Sequence, residues 1–203
     1  MNIFTPYIND SIIATIFYIV IAIINKTIYD RKNNAYEKNR RLKSYSSFLY
    51  IHKFLRLSTL LILLGCIWFN NSNWLILFNN VYTLYIGISV STLAMVIFLA
   101  AGINLGKNYS PCYDSHLPDD IIQDGLYKFI RHPIYTSNLL LMLGVFISCG
   151  SALILINFNI LFAYYLLSAY LEERQLIKHF PEYKNYKNST GMFIPLGLQL
   201  KKK

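Results

Sequence analysis

From Gly125 to Tyr135 the chain reads Gly-Leu-Tyr-Lys-Phe-Ile-Arg-His-Pro-Ile-Tyr, which crowds a guanidinium, an imidazole and two phenols between apolar segments. Further on, Glu172-Glu173-Arg174 puts two carboxylates at the end of another apolar run. An imidazole or a carboxylate can move protons near neutral pH. A carboxylate can also hold a cationic group, and aromatic faces can stabilise a cation by their quadrupole. No second residue with metal-ligand spacing accompanies His132, so it reads as a ligand contact rather than a metal ligand. An acidic stretch, Asp119-Asp120-Ile121-Ile122-Gln123-Asp124, precedes the motif.

The elements that must position these groups are helices. Pro133 lacks a backbone donor and has its φ preset, which suits the first turn of a helix, and the apolar run Leu139 to Ile147 continues it. Arg131 and His132 therefore stand where a helix leaves water and enters an apolar phase. Tyr135–Cys149 and Ala152–Leu171 read as a tight helical hairpin joined by Gly150-Ser151. Antiparallel pairing brings Arg131-His132 to the same end as Glu172-Glu173.

The rest of the chain has the composition of a membrane protein. Hydrophobic residues make up 55% and charged residues 14%, and the mean hydropathy is +0.37. A spanning helix needs about 20 mostly apolar residues. Ile12–Ile28, Leu49–Phe69 and Val81–Leu105 satisfy this and, with the hairpin, predict an all-α, multi-pass bundle of about five transmembrane helices. His52, Lys53 and Arg56 in the opening turns of the second are expected to snorkel toward headgroups. Residues 1–106 read as a region of three helices with a basic loop, and 107–203 as the region that carries the motif, the hairpin and the tail.

All 19 lysines and arginines fall in three segments. Nine lie between Lys26 and Arg56, three between Lys107 and Arg131, and seven from Arg174 onward. By the positive-inside rule this places the N-terminus outside and the C-terminus in the cytoplasm. Trp68, Trp74, Tyr82 and Tyr85 mark the opposite interface as an aromatic belt. The basic loop Arg31–Lys43 carries no nucleic-acid recognition motif and reads as topogenic, so the net charge of +9 does not imply a nucleic-acid partner. Cys66, Cys112 and Cys149 form no metal or disulfide pattern and read as small core residues. The first apolar run lacks a basic n-region and a cleavage site, so it is expected to be retained.

The pattern G-L-Y-x-x-x-R-H-P-x-Y, followed by a hairpin and E-E-x-x-L-x-x-x-F-P-E-Y-x-x-Y, resembles the isoprenylcysteine carboxyl methyltransferase and phospholipid methyltransferase group. The second half runs from Glu172 through Phe180-Pro181-Glu182-Tyr183 to Tyr186, Thr190, Phe193 and Pro195. The likeness covers Gly102 to Pro195, Asn104 included. It implies a multi-pass enzyme that binds S-adenosylmethionine at the cytoplasmic face under a lid formed by the tail. Tyr127, His132, Pro133 and Tyr135 would line the cofactor pocket, with Ile121 and Ile122 in the preceding stretch. Glu172 would be the cofactor carboxylate, Arg131 would orient an anionic acceptor, and Glu173 would serve with it in catalysis. No metal is implied. The partners implied are the membrane and a lipid or prenylated substrate, and the location is a bacterial inner membrane or the endoplasmic reticulum.

The sequence departs from the group at Ser137, where glycine is usual, and at Ser168, where the methyl-esterifying enzymes carry arginine one turn before the carboxylate. The second departure weakens the prenylcysteine assignment. Methyl transfer from a sulfonium is an in-line displacement, so the protein mainly positions and desolvates the reactants. A carboxylate acceptor needs no general base; an amine needs one, for which His132 or Glu173 are candidates. No G-x-G-x-x-G follows a strand pattern, which sets aside a soluble dinucleotide-type methyltransferase. Membrane reductases of the sterol type, which use NADPH, share an R-H-P-x-Y stretch and paired glutamates and are the alternative. A non-catalytic lipid-binding protein is the third reading.

Overall fold

A backbone surrounded by hydrocarbon must satisfy its own polar groups, and helices do so within one segment. The structure, a computed structural model, describes residues 12–24, 27, 47–68, 75–78, 80–108, 118 and 120–196. Among these residues six α-helices form: α1 (Ile12–Ile24), α2 (Ser47–Trp68), α3 (Val81–Leu105), α4 (Pro133–Cys149), α5 (Ala152–His179) and α6 (Tyr183–Ser189). The basic loop Arg31–Lys43, Trp74, Cys112 and the last lysines lie outside the described residues.

The helix ends follow from local chemistry. Asn80 caps α3 by accepting the Tyr82 amide at 2.9 Å. Pro133 opens α4 in its first turn, as its fixed φ favours. Gly150 closes α4 with φ +61°, a left-handed conformation that only glycine adopts without strain. A side chain there would also strike the carbonyl of Phe78, 1.9 Å from where its Cβ would stand. Segment 75–78 seals the turn, the Leu77 amide donating to the Gly150 carbonyl at 2.8 Å.

The expected hairpin forms, but its second arm is longer than the sequence led us to expect. At 28 residues α5 is about 42 Å long. Its apolar stretch ends at Leu171, and the helix continues to His179 because the residues beyond, from Glu172 on, are themselves good helix formers. Two helices, α3 and α5, are long and apolar enough to cross a membrane, while α1 and α4 are shorter apolar helices. Many of their outward residues are large hydrophobics, among them Ile103, Val96 and Ile156. An apolar outer surface of this kind suits lipid rather than water.

Small residues bring α3 and α4 together. A Cβ on Gly144 would stand 2.3 Å from Ser91 Oγ and 2.7 Å from the Gly87 carbonyl, and a Cβ on Gly87 would meet Gly144 in the same way. The two backbones thus approach as closely as small residues allow. Helix α5 is held to α2 by Asn157, whose Nδ2 donates to Thr59 Oγ1 at 2.6 Å and to the Leu55 carbonyl at 3.1 Å. The main core draws on α1, α2, α4 and α5 and includes Tyr18, Leu63, Cys149, Ile154 and Tyr165. Of the cations expected to snorkel, Lys53 is exposed, with Nζ 5.9 Å from the Tyr50 ring. His52 and Arg56 instead face α5 and α1.

Candidate active site

The polar residues of the Gly125–Tyr135 motif meet the end of α5 through the antiparallel geometry of the hairpin. Gly125 takes φ +58°, and the Asn104 side chain occupies the space a Cβ would fill. Asn104 Oδ1 accepts the Leu126 amide at 3.1 Å, which ties the motif to the end of α3. Beyond α6 the chain returns alongside the motif. The Arg131 amide donates to the Gly191 carbonyl at 2.8 Å and the His132 amide to the Met192 carbonyl at 3.1 Å. Thr136 Oγ1 donates to the Phe193 carbonyl at 2.9 Å.

Inside this frame Arg131 and Glu173 are buried against each other. Arg131 Nε donates to Glu173 Oε1 at 2.7 Å, and Nη1 reaches the carbonyls of Lys187 and Thr190. His132 Nε2 stands 3.1 Å from the same Glu173 oxygen. Lys187 Nζ lies 2.9 Å from Oε2, an ion pair by charge and distance, although no hydrogen bond of good direction reaches that oxygen. Burial alone would raise the Glu173 pKa. Hydrogen bonds from His132 and Arg131, with the ion pair to Lys187, together outweigh burial and hold it at about 2. Glu173 is thus an anion held among three basic side chains.

Its neighbour differs. The Glu172 side chain retains 37% exposure and accepts the Tyr135 hydroxyl at 2.9 Å. His132 Nδ1 lies 3.7 Å from it. The His132 and Tyr135 rings stack at 5.3 Å with planes 3° apart, and Tyr135 stacks in turn on Tyr165 at 4.8 Å. A carboxylate open to solvent therefore borders a row of three stacked rings. Such a row can bind a cation through carboxylate and π faces at once.

A sequence model described as phospholipid methyltransferase matches residues 82–183, half of the chain. The chain belongs to the phospholipid methyltransferase family. The matched region of this family member runs from α3 to the start of α6 and contains the whole row of rings with both glutamates. Methanethiol S-methyltransferase 1 of Bradyrhizobium diazoefficiens is 40% identical over 76 residues, a stretch that covers 34% of this chain. The match spans about a quarter of that relative's length, 24%.

Of the other residues singled out by sequence, Tyr127 is buried and its carbonyl accepts the Tyr186 hydroxyl. Pro133 is fully buried. Ile121 packs on a cluster formed by Leu176, Tyr183 and Tyr186, and Ile122 is half-buried. Burial pushes the Tyr186 hydroxyl up to about 12, and burial together with the nearby glutamates raises Tyr183 further. Both phenols stay neutral at physiological pH. Ser137 packs in the space where glycine is usual, with 1% exposure, and Oγ donates to the Ile134 carbonyl. Sequence reasoning missed Tyr165 and Lys187. Tyr165 stands seven residues before Glu172, two helical turns on one face, so that spacing was the available signal.

Proposed function

We propose that the protein transfers a methyl group from S-adenosylmethionine to a lipophilic acceptor that enters from the bilayer, with the site at the cytoplasmic face. The observation that carries this is the difference between the two glutamates. Glu173 is consumed by Arg131, His132 and Lys187, whereas Glu172 is accessible beside the stacked rings. S-adenosylmethionine is cationic at its amino group and its sulfonium, so a partly exposed carboxylate flanked by aromatic faces fits it in charge and in polarity. When bound, it supplies an electrophilic methyl group on a sulfonium.

In this reading Glu172 holds the cofactor's cationic or hydroxyl groups, and Tyr135 fixes the carboxylate. His132, Tyr127 and Pro133 shape the wall, and Ile121 and Ile122 flank it. Arg131 and Glu173 serve the reaction by fixing His132 and the returning segment 190–193, which excludes water. The acceptor class comprises a carboxyl or amine on a lipid or isoprenoid, and the name of the relative extends it to a thiol. A prenylated cysteine carboxylate stands lower within that class, because Ser168 replaces the arginine of the esterifying enzymes. The charge distribution supports five spans with the N-terminus outside and the site inside.

The test is thermal unfolding of the purified protein with added cofactor. S-adenosylmethionine or its demethylated product is expected to raise the melting temperature, and Glu172→Gln to abolish the rise. Protection by NADPH alone would contradict the proposal and favour the reductase alternative.

A further inference from the structure

Between α1, α2, α4 and α5 lies a small cleft, about 20 Å³ in its enclosed part and open at its mouth. Tyr18, His52, Arg56, Thr59, Asn138 and Tyr165 contribute its polar lining, and apolar side chains of all four helices the remainder. Arg56 Nη2 approaches the Ala22 carbonyl at 3.4 Å, a weak contact. Among the described residues no carboxylate pairs with Arg56. His52 Nε2 lies 2.8 Å from the Tyr165 hydroxyl, and Tyr165 stacks on Tyr135, whose own hydroxyl holds Glu172. The Tyr165 ring is therefore a wall common to the cleft and to the row of rings beside Glu172.

We infer that this cleft receives the methyl acceptor, and that the acceptor carries an acidic head, carboxylate or thiolate, on an apolar body, with Arg56 as its counter-charge. The inference rests on the methyltransferase reading above and narrows it. A guanidinium in a mostly apolar cleft loses hydration that only an anion repays well. The aliphatic lining suits a hydrocarbon body, and an ammonium head would be repelled. The charge change also fits turnover. A lone pair on the acceptor's oxygen or sulfur forms the new bond to the methyl carbon. The carbon–sulfur bond of the donor breaks, and its electron pair stays on the donor sulfur. The reacting acceptor passes from charge −1 to neutral; a carboxylate does so without moving a proton, whereas a thiol first gives its proton to water to form the thiolate, and Arg56 attracts the anion and releases the ester or thioether.

The experiment uses the full chain in lipid nanodiscs saturated with S-adenosylhomocysteine, titrated with octanoate, octanethiol or octylamine while the melting temperature is read. Octanoate or octanethiol is expected to give a further rise and octylamine none; which acidic probe acts identifies the head. Arg56→Gln is expected to weaken that probe on the order of ten-fold or more, the loss of a charge-assisted hydrogen bond, and to keep the rise from S-adenosylhomocysteine. Arg56→Lys is expected to recover much of the binding. Equal rises with octylamine and octanoate, no rise with any probe, or undiminished binding in Arg56→Gln would overturn the inference. Should Arg56→Gln fail to fold, the acidic and amine probes on the unmodified protein decide. Absence of the S-adenosylhomocysteine rise in the unmodified protein overturns the cofactor reading instead, independently of Arg56.

Discussion

Glu172 and Glu173 are adjacent in sequence, yet a helix turns consecutive side chains about 100° apart, and that rotation separates their roles. Glu173 faces inward to Arg131, His132 and Lys187. Removing its charge strands two cations beside a buried position, so Glu173→Gln is expected to cost about 3–5 kcal/mol of stability, the usual penalty for breaking a buried pair. Chemical or thermal unfolding of the variant measures this. The pH dependence follows from the same contacts. Because the folded pKa of Glu173 is held at about 2, below the ordinary 4.5, its stabilisation is present above 4.5 and is lost as pH falls from there toward 2. The unmodified protein is expected to show this acid limb and Glu173→Gln to lack it. At this scale the motif made Glu172, His132 and Tyr135 legible. Tyr165 and Arg56 escaped because a tyrosine or a basic residue in an apolar helix looks the same in sequence whether it faces lipid, a cleft or a partner ring.

At the scale of elements, the approach of α3 and α4 depends on Gly87, Ser91, Gly144 and Ser148. Gly144→Val is expected to force the helices apart, since its Cβ would stand 2.3 Å from Ser91 Oγ and 2.7 Å from the Gly87 carbonyl and backbone cannot yield. The expected loss is about 1–3 kcal/mol, the range for overpacking. Gly65→Ala supplies the comparison: nothing lies within 4 Å of its Cβ, so the melting temperature should hold or rise through better helix propensity. A melting temperature for Gly144→Val equal to that of the unmodified protein would refute the packing described. The helices themselves were largely legible. Hydrophobic length gave α3 at both ends, Val81 and Leu105. The far end of α5 was not legible from hydropathy, because a helix continues after its hydrophobic face stops. Helix α6 is too short and polar for any hydropathy pattern and is held by Tyr183 and Tyr186 packing on Leu176.

Across the whole molecule, the hairpin is what converts two separated motifs into one site. Its turn lies at one end, sealed by Gly150 and segment 75–78, and its open ends carry Arg131-His132 and Glu172-Glu173 together. The segment after α6 then closes over them through Gly191, Met192 and Phe193. Apolar outer faces suit this assembly to lipid, and the proposed reaction would draw a soluble methyl donor from one side and a greasy acceptor from the other. The central claim is tested most directly by incubating membranes bearing the protein with methyl-labelled S-adenosylmethionine and extracting with organic solvent. Label is expected in the apolar extract with the unmodified protein and to fall to the level of control membranes with Glu172→Gln. Label no greater than in control membranes with the unmodified protein, or undiminished by Glu172→Gln, would contradict the account.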